Sequence, residues 1–204
     1  MLDALRVDLT GTKDRPLNRA SSPGGLPTAV AIGLATACKG VSRELTVPLG
    51  AQAAALTHGN VETFLCGSIL AEIIASVTAA PNDPLAEQFS AAIGKTVDFF
   101  GGQYPQAVEL GNYLRRVIHS ASSPVDDPRE AMEKLSCDSA PQCLAGAMYA
   151  CLVWQQDFDN AMILSVNHSG RSAAVASITG AILGSRMGAE ALPDFYLESL
   201  ETAD

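Results

Sequence analysis

The stretch from Val61 to Ala79 is apolar on nearly every face, and it constrains the fold more than any other feature of the chain. A helix without a polar side has two homes, the centre of a fold or a bilayer. Crossing a bilayer takes about 20 predominantly apolar residues. The window Thr63 to Ala80 is interrupted by Glu72, and the run from Leu26 to Ala37 is too short. The stretch is therefore expected at the centre of a folded core, with no membrane as partner. Glu72 is then either a buried acid or, as is commoner for glutamate, an edge residue with its head in water.

Around this core the signals are helical. No segment alternates apolar and polar residues as a half-buried strand does. Aromatics are only 5% while alanine, leucine and glycine dominate, a mixture suited to close helix packing. The fold class is all-α, as one helical domain over 1–204 with an irregular segment 1–25, where Arg15-Pro16, Ser21-Ser22-Pro23 and Gly24-Gly25 mark turns. Leu26 to Cys38 reads as a buried helix, and Ser42 to Thr57 as a second, started or kinked by Pro48. His58-Gly59-Asn60 ends that helix and caps the next. Asp83-Pro84 and Asp127-Pro128 each read as an aspartate N-cap with proline at the first helical position, and Glu130 falls where a capping-box carboxylate would. Pro141 opens a helix to Gln155. Phe158 to Val166 and Ser172 to Met187 follow, the latter stopped by Gly188, and Pro193 starts a short last helix. Gly180, Gly184 and Gly188 fall four apart, which predicts a face where a neighbouring helix backbone comes close.

The net charge of −9, without a lysine or arginine block, argues against a nucleic-acid partner and against anionic membranes. The five cysteines, Cys38, Cys66, Cys137, Cys143 and Cys151, include no C-x-x-C pair and read as reduced, mostly buried thiols. Met1 to Arg6 lacks the basic-then-apolar plan of a signal peptide, so a cytoplasmic location is expected.

From Ser139 onward the residues become specific: Ser-Ala-Pro-Gln-Cys-Leu-Ala, Asp157-Phe-Asp-Asn-Ala, Val166-Asn-His-Ser-Gly170, Ser177-Ile-Thr-Gly-Ala-Ile-Leu-Gly184 and Ala191-Leu-Pro193. This half resembles the C-terminal half of the ADP-ribosylglycohydrolase family, the dinitrogenase-reductase-activating glycohydrolase and crystallin J1 group. Ala55-Leu-Thr-His-Gly59 resembles that family's Thr-His turn, and Ser21 to Gly25 with Ala31 to Leu34 resembles, more loosely, its glycine-rich loop and following helix. The resemblance implies an orthogonal multi-helix bundle with a cleft for ADP-ribose and, usually, two magnesium ions. An N-terminal Thr-Asp-Asp run and an Asp-x-Asp-Ser/Thr after Asn-His-Ser-Gly would hold the metals. Magnesium takes hard oxygen ligands, and clustered carboxylates balance its charge.

At the decisive place this sequence departs from that pattern. The family's two aspartates fall at Arg171 and Ala173, and its hydroxyl ligand at Ala174. A guanidinium beside a divalent ion is repelled by several kcal/mol in a partly buried site. Met1 enters the family's sequence past the acidic run, and Asp126-Asp127 reads as a helix cap rather than a replacement. No metal ligand and no catalytic residue is assigned, and no cofactor is expected.

The candidate ligand-binding residues are Ser22, Gly24, Gly25, His58, Asn167, His168, Ser169, Gly170 and Arg171. Each has a plainer alternative. Ser22 to Gly25 either donates backbone N–H groups to a pyrophosphate or is an ordinary turn. His58 meets a ligand phosphate or caps its helix, and His168 is a base or a loop histidine. Arg171 pairs with an anionic group in the cleft or is simply solvated. The leading expectation is a degenerate homologue that keeps a nucleotide-type pocket without magnesium-dependent hydrolysis. An active ADP-ribosyl hydrolase with a rebuilt site and a helical scaffold or interaction protein are the alternatives. Shortness at the N-terminus would expose apolar surface, so a homo-oligomer or a covering partner is expected.

Overall fold

A computed structural model describes residues 11–38, 41–123 and 127–198, so the expectations for Met1 to Thr10 and for Asp126 lie outside the described residues. Ten α-helices account for most of these residues: α1 Pro27–Ala37, α2 Thr46–Ala55, α3 Val61–Ala79, α4 Leu85–Phe100, α5 Gln106–Ala121, α6 Pro128–Lys134, α7 Ala140–Val153, α8 Phe158–Val166, α9 Ser172–Met187 and α10 Asp194–Leu197. Short 3-10 turns lie at Pro23–Gly25, Arg43–Leu45 and Ala189–Ala191. There is no strand among the described residues, and the fold is all-α.

Helix α3 is the axis. By length and composition it could cross a membrane, but 78% of its apolar window is buried inside the fold. It packs against α1, α2, α4, α7 and α9, and its buried side chains join one continuous core. Burial of side chains such as Phe64, Leu65, Ile69, Leu70, Ile73 and Ile74 supplies its stability, at roughly 1.5–3 kcal/mol each. Two glycine contacts let α1 and α2 lie against it. A methyl group added at Gly33 would come 2.6 Å from the Ala71 carbonyl oxygen, and one at Gly67 would come 2.7 Å from Ala54 Cβ.

The glycines expected to admit a neighbouring helix do not do so. Nothing lies within 4 Å of a Cβ built on Gly184 or Gly188, and Gly180 meets only the Met162 side chain, at 3.6 Å. Among the described residues no helix backbone comes close to this face, and α8 reaches it only through Met162 at Gly180. Gly188 acts instead as the helix stop, at φ 78°.

Helix α1 also departs from expectation. Only Ala29, Gly33 and Thr36 are buried, while Ala31, Leu34 and Ala35 face outward, because the helix lies on the outer layer of the bundle. Asp83 is not a cap. Pro84 takes the N-cap position of α4, and no side-chain cap bond forms there.

The other caps fall where local chemistry puts them. Asn60 accepts from the Glu62 and Thr63 amides, and Asp127 from the Arg129 amide. Ser139 and Gln142 form a capping box at the start of α7. Helix α5 carries no such signal, since Pro105 sits at its N-cap. Its stability comes from the buried stripe Ala107, Leu110, Gly111, Leu114, Val117 and Ile118.

Candidate functional site

Three segments far apart in sequence meet at one end of the bundle. The first is the loop leading into Pro23–Gly25. Asn18 fastens it to the turn between α2 and α3: its Nδ2 donates to the Thr57 carbonyl at 2.9 Å, and its Oδ1 accepts from the Gly59 amide at 3.1 Å and the Ala20 amide at 2.9 Å. The Ala140 amide then donates to the Ser21 carbonyl at 3.1 Å, tying the loop to the start of α7.

His58 lies underneath this loop, 4% exposed. Its Nε2 shares a 2.9 Å hydrogen bond with Ser22 Oγ, and its Nδ1 shares one of 2.8 Å with Thr57 Oγ1. Burial pushes its pKa below the usual histidine value, so the ring is neutral at pH 7. Gly24 and Gly25 rest on the imidazole, where an added Cβ at either would come 3.1 Å from a ring or Cβ atom of His58. Ser22 is thus oriented from below by a neutral histidine that Thr57 holds in place.

The second segment is the turn before α7, where Ser136 and Cys137 both take positive φ, 61° and 49°. Non-glycine residues adopt that conformation at a cost. The third is the loop 167–171. The two are locked together: the Arg171 amide donates to the Cys137 carbonyl at 2.9 Å, and an added Cβ at Gly170 would come 2.3 Å from the Ser136 carbonyl oxygen. Gly170 is therefore required by close approach.

Within the loop 167–171 most polar groups serve its own shape. Asn167 Nδ2 donates to the Ile163 carbonyl at 2.7 Å. His168 Nδ1 accepts from the Gly170 amide at 3.1 Å, so its Nε2 carries the proton donated to the Ser165 carbonyl at 3.0 Å. Ser169 donates to Glu133 from its amide, at 3.0 Å, and from its hydroxyl. That hydroxyl is the main reason the Glu133 carboxyl lies below its usual pKa.

Between the first and third segments lies a cleft of about 470 Å³, lined by Ser22, Pro23, Gly24 and Gly170 to Ala174. Of the candidate residues, Ser22, Gly24, Gly170 and Arg171 border it; Gly25 and His58 support it from below, and Asn167, His168 and Ser169 brace the loop behind it. Arg171 occupies the N-cap position of α9, and its exposed guanidinium has no hydrogen bond or ion pair among the described residues. The positive end of the α9 dipole lies beside it, with the Ser172, Ala174 and Val175 amides already donating to the Gly170 and Arg171 carbonyls.

Two divalent ions do not fit these residues. The positions where the resemblance expects carboxylates and a hydroxyl hold Arg171, Ala173 and Ala174. Among the described residues no group of three or more His, Cys, Asp or Glu is arranged to hold a metal. Thiol chemistry has no support either, since burial pushes Cys137 and Cys143 up to about 12. Glu133 and Asn18 were not foreseen, and nothing in their local sequence marks them.

An all-α bundle with a glycine-lined cleft between two loops, one of them opening a long helix, defines the class of helical protein to which this chain belongs. The chain matches the ADP-ribosylglycohydrolase family over residues 3–204, and it belongs to that family. A comparison with curated proteins returns no match.

Proposed function

We propose that this protein binds ADP-ribose or a related nucleotide in the cleft between Ser22–Gly24 and Gly170–Ala174, without magnesium-dependent hydrolysis. One observation carries the proposal: Arg171 stands at the head of α9, facing a cleft of about 470 Å³, where the family resemblance places metal-binding carboxylates. A guanidinium at the positive end of a helix dipole neutralises a diphosphate in the way that metal ions otherwise do. The volume lies within the range of small-ligand sites, roughly 300–1,000 Å³.

The test is a thermal-shift titration with ADP-ribose, with and without magnesium. The reading requires stabilisation that is indifferent to the metal and is lost in Arg171→Ala.

A second reading, an active hydrolase with a rebuilt site, draws on Glu133, an acid that reaches the loop 167–171 through Ser169. Assay of ADP-ribose release from ADP-ribosylated protein, comparing wild type with Glu133→Gln, separates the two. The scaffold reading fits an open cleft less well than a filled one. The outward apolar residues of α1, Leu34 among them, are consistent with self-association or a covering partner, and sedimentation showing a monomer would contradict that.

A further inference from the structure

We infer that Ser22 is a nucleophile and His58 its general base, and that the pair cleaves small carboxylic esters bearing an anionic group, without a metal. Ser22 opens on the cleft proposed above for a nucleotide, but the inference does not depend on a nucleotide being what binds there.

Ser22 occupies the N-cap position of the 3-10 turn Pro23–Gly25. A serine hydroxyl at that position ordinarily accepts from a backbone amide two or three residues on. This one makes no such bond and turns to His58 Nε2 instead, at 2.9 Å. Nor does the loop need that bond as an anchor, since Asn18 already fastens it with three hydrogen bonds. The buried Pro23 keeps Ser22 extended, at φ −71° and ψ 158°, so the hydroxyl stands on a fixed backbone.

A hydroxyl, a base and an orienting group in hydrogen-bonded series is the arrangement that activates a nucleophile. Thr57 Oγ1, 2.8 Å from His58 Nδ1, is the third member. With the Nδ1 proton given to Thr57, the Nε2 lone pair faces the Ser22 hydroxyl. Burial keeps the ring uncharged at neutral pH, so it is free to take up a proton. Gly24, exposed and lining the cleft, lies against Nε2, where an added Cβ would come within 3.1 Å. A glycine there leaves the space beside the base unfilled by a side chain.

In the first step Ser22 Oγ attacks the ester carbonyl carbon while its proton passes to His58 Nε2. The bond to the leaving oxygen breaks, and the leaving alcohol takes that proton. Water then gives a proton to Nε2 and its oxygen to the acyl carbon. The bond to Ser22 Oγ breaks, Oγ recovers the proton, and the carboxylic acid leaves. Arg171 sets the substrate class. It lines the same cleft as Ser22, it is exposed, and among the described residues no carboxylate lines that cleft to offset its charge. A substrate with an anionic group is therefore drawn in, and the same positive potential favours the oxyanion formed at the carbonyl.

The probe is 4-acetoxybenzoate, incubated with the full chain in the presence of a chelator, with its neutral methyl ester as comparator. Turnover is expected, together with acetyl-Ser22 in peptides from acid-quenched samples. Ser22→Ala and His58→Gln should each lower kcat/KM about a hundredfold. Thr57→Val should lower it about tenfold while Thr57→Ser restores it, and Arg171→Ala should raise KM for the anionic ester alone. Should His58→Gln fail to fold, the half-buried Ser22 keeps the test intact. Absence of turnover, wild-type turnover in Ser22→Ala, acetylation confined to other residues, or equal turnover of the neutral ester would each overturn the assignment. No ADP-ribose enters the assay, so its failure and that of the nucleotide reading are scored separately.

Discussion

Two regions of the bundle each present an arginine, held in opposite ways. Arg43 is tied to the buried Glu72 carboxylate, which it shares with Lys95. Arg171 has no partner among the described residues and stands open at the head of α9. The first is embedded in the fold's stability, because Glu72 would otherwise be a bare charge in the core. The second costs the fold nothing to lose, so its placement bears on what enters the cleft. Stability and binding should therefore separate cleanly between the two regions.

The largest expected effect follows from removing both cations at the first site. Arg43→Ala with Lys95→Ala leaves Glu72 buried without a partner, and about 3–5 kcal/mol should disappear from the denaturant-unfolding free energy. Arg171→Ala should change the same quantity by less than about 0.5 kcal/mol while abolishing the ADP-ribose response. A comparable stability loss in both variants would erase the contrast.

Next in size is Gly170→Ala. The added methyl, 2.3 Å from the Ser136 carbonyl oxygen, forces apart the turn and the loop that carries Arg171. About 1–3 kcal/mol of stability should go, with nucleotide affinity falling in the same variant.

Ser22→Ala removes the hydrogen bond to His58 Nε2 and should cost about 1 kcal/mol by thermal unfolding. The smallest effect is the pH dependence of His58. Its folded pKa lies below the ordinary value of 6.5, so the unfolded chain binds the proton more readily. This contribution is complete above about pH 6.5 and declines as the pH falls through the lowered folded value. The thermal midpoint should drop over that window, and His58→Asn should flatten the drop.

What was legible in the sequence was local. The central place of α3, the bounds Phe158–Val166 and Ser172–Met187, and the caps at Asn60 and Asp127 follow from periodicity and near-neighbour hydrogen bonds. The misread elements depend on what lies opposite. Four-residue glycine spacing on α9 signals close packing only where a helix backbone comes near, and among the described residues only the Met162 side chain of α8 reaches it. Helix α1 has the composition of a buried helix yet lies on the outer layer. Glu72 is buried because its partners approach from 29 and 23 residues away, a distance at which sequence pattern carries no information. The candidate site divides in the same way. The residues at 167 to 171 and the Thr57-His58 turn were visible as motifs, whereas Asn18 and Glu133, which set the site's geometry, act through tertiary contacts.

The most direct test of the account is the thermal shift of the protein on addition of ADP-ribose, measured with magnesium and again with a chelator. The account predicts the same upward shift in both conditions. A shift that appears only with magnesium, or no shift in either, would contradict it.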